Sequence, residues 1–318
     1  QNGRPLRSMT LWLRKLARMR SQVVSLGGVG IKRPSRSASS KRSAVDAHST
    51  GESGPPSTSS SGDKPAGGAH APGRGKKKAK RKPRAAVPVQ VEAPSEWRTV
   101  LSKIAEFREN GPLAPVDTMG CERLADVDAD PKTYRFQTLV SLMLSSQTKD
   151  QVTAAAVKRL QESKGGLTVD NVANHMSVEE IDELICKVGF HNTKAKRLKE
   201  AAKICAEEYG GDIPPTAELL MKLPGVGPKM AFITMNVAFG EPSGIGVDVH
   251  VHRITNRLGW NKTKQPEDTR KALESWLPRE EWIPINPLLV GFGQLHCLPR
   301  NPKCKGCPVE SLCGKVIL

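Results

Sequence analysis

The chain has 318 residues and a formal net charge of +17, with no apolar run of the ~18 residues a membrane helix needs, so a membrane-spanning helix is excluded. The charge is uneven: residues 1–90 hold 20 Lys+Arg against 3 Asp+Glu, whereas residues 91–318 hold 29 of each. A nucleic-acid surface on the folded part must then come from local arrangement rather than bulk charge, and an odd count of 7 cysteines argues against a disulfide framework.

Residues 1–45 contain no Asp or Glu, and Arg14, Lys15, Arg18 and Arg20 lie among Leu11, Trp12, Leu13, Leu16 and Val23. That is the composition of a mitochondrial transit peptide or of an ordinary basic tail. Residues 35–75 are rich in Ser, Gly and Pro and cannot build a core. The run Gly75-Lys-Lys-Lys-Ala-Lys-Arg-Lys-Pro-Arg84 reads as a nuclear localisation signal, a non-specific DNA-binding arm or a solvated charge run. Residues 1–93 are read as a disordered basic tail carrying targeting signals.

Order is expected from Pro94. Ser95 to Glu109 predicts a helix with a Ser cap. Tyr134 to Ser145, with Phe136, Leu139, Val140, Leu142, Met143 and Leu144, predicts a buried one. Asp150 is expected to cap a helix over 151–162, and further helices are predicted at 177–187, 193–209 and 215–223. Strand signals are weak and aromatic residues make up only 4% of the chain, so the folded part is read as all-α.

The stretch 214–259 reads as helix, tight hairpin, helix, loop and helix. Leu219, Leu220 and Leu223 give one apolar side, and Pro224 and Gly225 stop it. Gly225 and Gly227 allow positive φ and close approach to bare backbone, and Pro228 suits the first turn of the next helix. N–H groups at such a turn can hold a phosphate oxygen, with Lys229 beside it. Asp248 then precedes the periodic run Val251, Ile254, Leu258 and ends as an N-cap carboxylate, with Gly259 at the far end. The stretch offers an amine that can act as a nucleophile and a carboxylate favoured in its charged form. His250 and His252 beside Asp248 are read as packing or hydrogen-bonding groups, and Trp260, Trp276 and Trp282 as core.

Helices are also predicted at 267–276 and 282–294. Beyond them, Cys297, Cys304, Cys307 and Cys313 are spaced C-x6-C-x2-C-x5-C. Four thiolates on so short a loop suit a tetrahedral Zn²⁺ or an iron–sulfur cluster; one compact run fits the close corners of a cuboidal cluster. Arg300 and Lys303 on the loop present positive charge suited to phosphate. Cys121, Cys186 and Cys205 read as ordinary reduced cysteines.

Leu223-Pro-Gly-Val-Gly-Pro-Lys229, Val247-Asp-Val-His250 and the four-cysteine run, in that order, resemble the endonuclease III family of DNA glycosylase/AP lyases over about residues 95–315. The resemblance implies two helical domains with a DNA-binding cleft between them. One is a six-helix domain over 128–241 that contains the helix-hairpin-helix; the other combines 94–127 with 242–318 and holds a 4Fe-4S cluster on the four cysteines. It also implies Lys229 as nucleophile and Asp248 as the essential aspartate. Gln147, in Leu144-Ser-Ser-Gln-Thr-Lys-Asp150, matches a residue that fills the gap left by a flipped nucleotide. Phe190 stands where bacterial members carry a wedging leucine, keeping the wedge apolar. The expected activity is removal of oxidised pyrimidines with strand cleavage by β-elimination. The expected partner is double-stranded DNA with oxidised bases or abasic sites, bound by a monomer in nucleus and mitochondrion. Two rivals are a monofunctional adenine-mismatch glycosylase, which lacks a lysine at the nucleophile position, and a helix-hairpin-helix module that grips phosphate without catalysis.

Overall fold

The computed structural model describes residues 92–314, so the readings made on residues 1–91 lie outside it. Eleven α-helices and no strand are found among the described residues. They are α1 (Trp97–Asn110), α2 (Pro115–Met119), α3 (Pro131–Ser145), α4 (Asp150–Glu162), α5 (Val178–Ile185), α6 (His191–Glu208), α7 (Ala217–Leu220), α8 (Pro228–Thr234), α9 (Val249–Arg257), α10 (Pro266–Glu274) and α11 (Ile285–Leu295). None of the described helices is long and apolar enough to cross a membrane.

Local chemistry explains most boundaries. The Asp130 carboxylate accepts from the N–H of Lys132 at 3.1 Å and Thr133 at 3.2 Å, and Pro131 takes the first position of α3. Ser177 and Glu180 form a reciprocal capping box at the start of α5. Two expected caps fail. The first helix begins at Trp97 after Glu96, with no side-chain cap, so Ser95 plays no such part. The helix at 150 begins one residue early, with Lys149 at the cap position, which frees the Asp150 side chain for a distant partner. The helix read over 215–223 is a single turn, because the chain already bends towards the hairpin after Leu220.

Two apolar cores result. The first draws on α3 to α8, with Phe136, Leu139, Leu144, Leu160, Ile181 and Leu198 at its centre. The second draws on α1 and on α9 to α11, with Leu101, Ile104, Val251, Leu273, Leu288 and Phe292. Trp276 stands edge-on to both Trp97 and Trp260, with ring centroids 5.6 Å apart in each pair, so these indoles pack the second core. Beside it, Arg108 of α1 donates to Asp117 of α2 at 2.6 Å and 2.8 Å, with both side chains nearly inaccessible.

The chain passes from the first core to the second through Gly244-Ile245-Gly246. A Cβ at Gly244 would collide with the ring of Phe232, and one at Gly246 with Ile233, so only bare backbone can lie this close to α8. Ile245 drops into the second core, and its N–H donates to Glu274 at 2.8 Å; Asn286 donates to the Gly246 carbonyl. This crossing brings the start of α9 opposite the start of α8.

Candidate active site

Thr216 caps α7 by accepting from the N–H of Leu219, and Leu223 and Val226 plug the hairpin into the first core. Between them Gly225 adopts φ 85, a left-handed backbone that glycine takes without strain. The stem of Arg197 covers its inner side, whereas a Cβ on Gly227 would meet nothing. Among the described residues the N–H groups of Gly225 and Gly227 have no hydrogen-bond acceptor. Two backbone donors are thus unused immediately before α8.

Lys229 lies in the first turn of α8, half-buried, and its amine has no hydrogen bond or ion pair among the described residues. Asp248 caps α9: its Oδ1 accepts from the N–H of His250 and of Val251, each at 2.8 Å. Its Oδ2 carries no hydrogen bond among the described residues. One oxygen therefore fixes the carboxylate while the other stays available. Lys229, Asp248 and Gln147 line one cleft of about 670 Å³.

The cleft also holds groups to which the motifs assigned no catalytic part. Asp150 accepts from Gln294 Nε2 at 2.8 Å, and Gln294 Oε1 accepts from the N–H of Val116 at 3.0 Å, which ties the first core to α11 and α2. His250 accepts at Nδ1 from Arg253 at 3.1 Å. A guanidinium only donates, so this contact suits a neutral ring with its proton on Nε2. Burial holds this imidazole below its ordinary value, helped by Arg253 and Lys229 and opposed by Asp248 and Asp150. Cys121 also lines the cleft; burial pushes its thiol up to about 11, against the pull of nearby Lys229, so it stays protonated.

Gln147 follows α3 in a left-handed conformation (φ 53) and is exposed. Phe190, just before α6, is likewise left-handed (φ 59) and 66% exposed, although it does not line the cleft. Positive φ is uncommon for such side chains and clusters where structure is held for a purpose.

A model of the "HhH-GPD superfamily base excision DNA repair protein" family matches residues 140–279. The chain is 53% identical over 222 residues to "Endonuclease III-like protein 1" of Gallus gallus, covering 69% of this chain and 78% of that protein. It is 50% identical over 227 residues to the Mus musculus protein of the same name, covering 71% and 74%. The chain belongs to the endonuclease III family. A solved structure described as a trapped endonuclease III–DNA covalent intermediate superposes with a TM-score of 0.59 at 30% identity, covering 69% of this chain and 94% of that one. This endonuclease III family member is a base-excision repair DNA glycosylase with an all-α fold.

In this member of the endonuclease III family the cysteine loop leans on the far end of α9, whose near end is Asp248. Arg257 donates to the carbonyls of Leu298 at 2.7 Å and Pro299 at 3.0 Å, and to Cys297 Sγ at 3.4 Å. Arg253 donates to the Cys297 carbonyl at 3.0 Å. Burial raises the Cys307 thiol, and the charges of Cys297, Cys313 and Cys304 add to the rise, which places Cys307 near the other three. Among the described residues no three or more His, Cys, Asp or Glu side chains converge tightly enough to form the shell of one metal ion. Arg300 and Lys303 remain exposed on this loop, away from the cleft.

Proposed function

We propose that the chain is a bifunctional enzyme that removes oxidised pyrimidines from double-stranded DNA and then cuts the strand at the abasic site. The observation that carries this reading is the pairing, in one cleft, of an unpartnered Lys229 amine with an Asp248 carboxylate fixed through one oxygen only.

A base inside a duplex has to leave the stack before an amine can reach C1′ of its sugar. Gly225 and Gly227 would hold a backbone phosphate through their unused N–H groups, while Gln147 and Phe190 enter the duplex. Arg300 and Lys303 would contact a more distant phosphate. Lys229, as the neutral amine, attacks C1′; the C1′–N bond breaks and the base leaves with its electron pair and a proton. Asp248 Oδ2 takes a proton from the attacking nitrogen and faces the positive charge on the opening sugar. The C1′–O4′ bond then breaks, with Asp248 returning its proton to O4′, and leaves an iminium between Lys229 and C1′; this makes the C2′ proton acidic, and its loss expels the 3′-phosphate. Water then releases Lys229.

Cys297, Cys304, Cys307 and Cys313 would hold a 4Fe-4S cluster. A single zinc requires Zn–S distances of about 2.3 Å. Four thiols on one short loop are the donor set such a cluster takes, and the compact spacing suits its close corners. Bound there, the cluster would fasten the loop as a scaffold; purified protein should contain iron and acid-labile sulfide in equal amounts, and zinc in their place would reject it.

The two cores support a division into domains 128–241 and 94–127 with 242–318. A monomer, present in nucleus and mitochondrion, completes the reading; light scattering and fusion of residues 1–93 to a reporter test these two points. The adenine-mismatch and non-catalytic alternatives share a decisive difference: neither forms a borohydride-reducible adduct through Lys229.

A further inference from the structure

Lys194 sits in the first turns of α6, four residues after Phe190, yet is only 8% exposed. It lies on the same stripe as Leu198, Ala201 and Cys205, where an apolar residue would normally stand. Its Nζ donates to the carbonyls of Leu144 at 2.7 Å and Ser146 at 2.6 Å, and to Thr148 Oγ1 at 3.3 Å. An ammonium has three donors, and here all three are used. No carboxylate pairs with it among the described residues. The carbonyl end of α3 supplies the compensation that a buried cation needs. Burial holds the amine down to about 8.

Thr148 completes the knot. Its hydroxyl donates to the Ser146 carbonyl at 3.1 Å and accepts from Lys194 and from the N–H of Gly189 at 3.2 Å. One donor and two acceptors are the full capacity of a hydroxyl. Gly189 also presses on the other turn, because a Cβ there would lie 2.7 Å from the Gln147 carbonyl oxygen. The turns that bear Gln147 and Phe190 come from different helices, and both place a non-glycine residue at positive φ. Such conformations persist where the surroundings over-determine them.

We propose that Lys194 and Thr148 are positioning residues that lock the Gln147 and Phe190 turns into one rigid unit, so that gap-filler and wedge enter the duplex in a single step. This rests on the reading of Gln147 and Phe190 as DNA-probing side chains. Prising out a stacked nucleotide requires both side chains at once, whereas an abasic site, which has no base to unstack, needs them far less.

The test compares two duplexes under single-turnover conditions, one with a stacked oxidised pyrimidine and one with an abasic site. A fluorescent base analogue opposite the lesion reports unstacking. Thr148→Val keeps the shape and removes all three hydrogen bonds. It should slow the stacked substrate about tenfold and delay the fluorescence rise, while abasic-site cutting changes by less than about twofold. Thr148→Ser should restore both. Lys194→Met should show the same selectivity with a larger effect. Equal slowing on both substrates, or no slowing on either, overturns the proposal, because a merely structural role would not distinguish them. Failure of the wild-type protein to unstack the analogue would instead sink the assignment of Gln147 and Phe190.

Discussion

Lys229 and Asp248 face one cleft from helices anchored in different cores. Lys229 stands on α8, whose Ala231 and Phe232 belong to the first core, and Asp248 caps α9, whose Val251 and Ile254 belong to the second. Neither core alone contains the pair. The crossing at Gly244-Ile245-Gly246 sets their relation, so the chemistry depends on how the chain passes between the cores as well as on the two residues.

Asp248 has two tasks that a single substitution separates. Asn caps helices about as well as Asp, and its oxygen can still accept from the N–H of His250 and Val251. Asp248→Asn should therefore melt close to the wild type. Its single-turnover rate of base release should fall by about 10²–10⁴, the usual range for a lost general base. An unimpaired rate would remove the assigned role.

The Arg108–Asp117 pair is almost wholly shielded from water. Removing one partner leaves a buried charge unpaired, at ~3–5 kcal/mol. Asp117→Ala should lower stability by this amount in denaturant titration. Replacing both, as Arg108→Met with Asp117→Leu, should recover a large part of it. The recovery distinguishes loss of the pair from simple loss of packing.

His250 predicts the direction of a pH effect. Burial holds its folded-state pKa below the ordinary 6.5. Below 6.5 the unfolded chain then binds a proton that the folded chain refuses, so stability is full above that value and falls as the solution is acidified. His252, also held low by burial, contributes with the same sign. Melting curves from about pH 8 to about pH 5 should show a smaller acid-induced loss in His250→Gln than in the wild type. An identical loss in both would remove His250 from the account.

Phe190 is 66% exposed, so Phe190→Ala should leave the melting temperature within about a degree or two. Its effect should appear on DNA, as a slower base release from stacked lesions with little change at abasic sites. Equal activity on both would mean that the ring is not a wedge.

The local devices of this fold were legible in the sequence. Asp248 caps its helix because a short polar side chain followed by an apolar period leaves the backbone few alternatives, whereas Asp130 and Ser177, which cap helices in the same way, were not singled out. The hairpin glycines and the cysteine spacing were equally plain. Asp150 was misread as a cap, since the Gln294 amide that holds it lies 144 residues away and leaves no local trace. Lys194 left a faint signal, a charge on an apolar stripe, but its acceptors come from another helix end. Cys121 gave none: its place in the cleft depends on the packing of α2 and α3 around it.

Catalysis as proposed requires the Lys229 amine to bond to the deoxyribose. Incubating wild-type protein with a duplex bearing an oxidised pyrimidine, in the presence of borohydride, and resolving the products by denaturing electrophoresis tests it directly. The wild type should give a stable protein–DNA adduct and Lys229→Gln none, while that variant still binds DNA. No adduct in the wild type, or an undiminished one in Lys229→Gln, would contradict it.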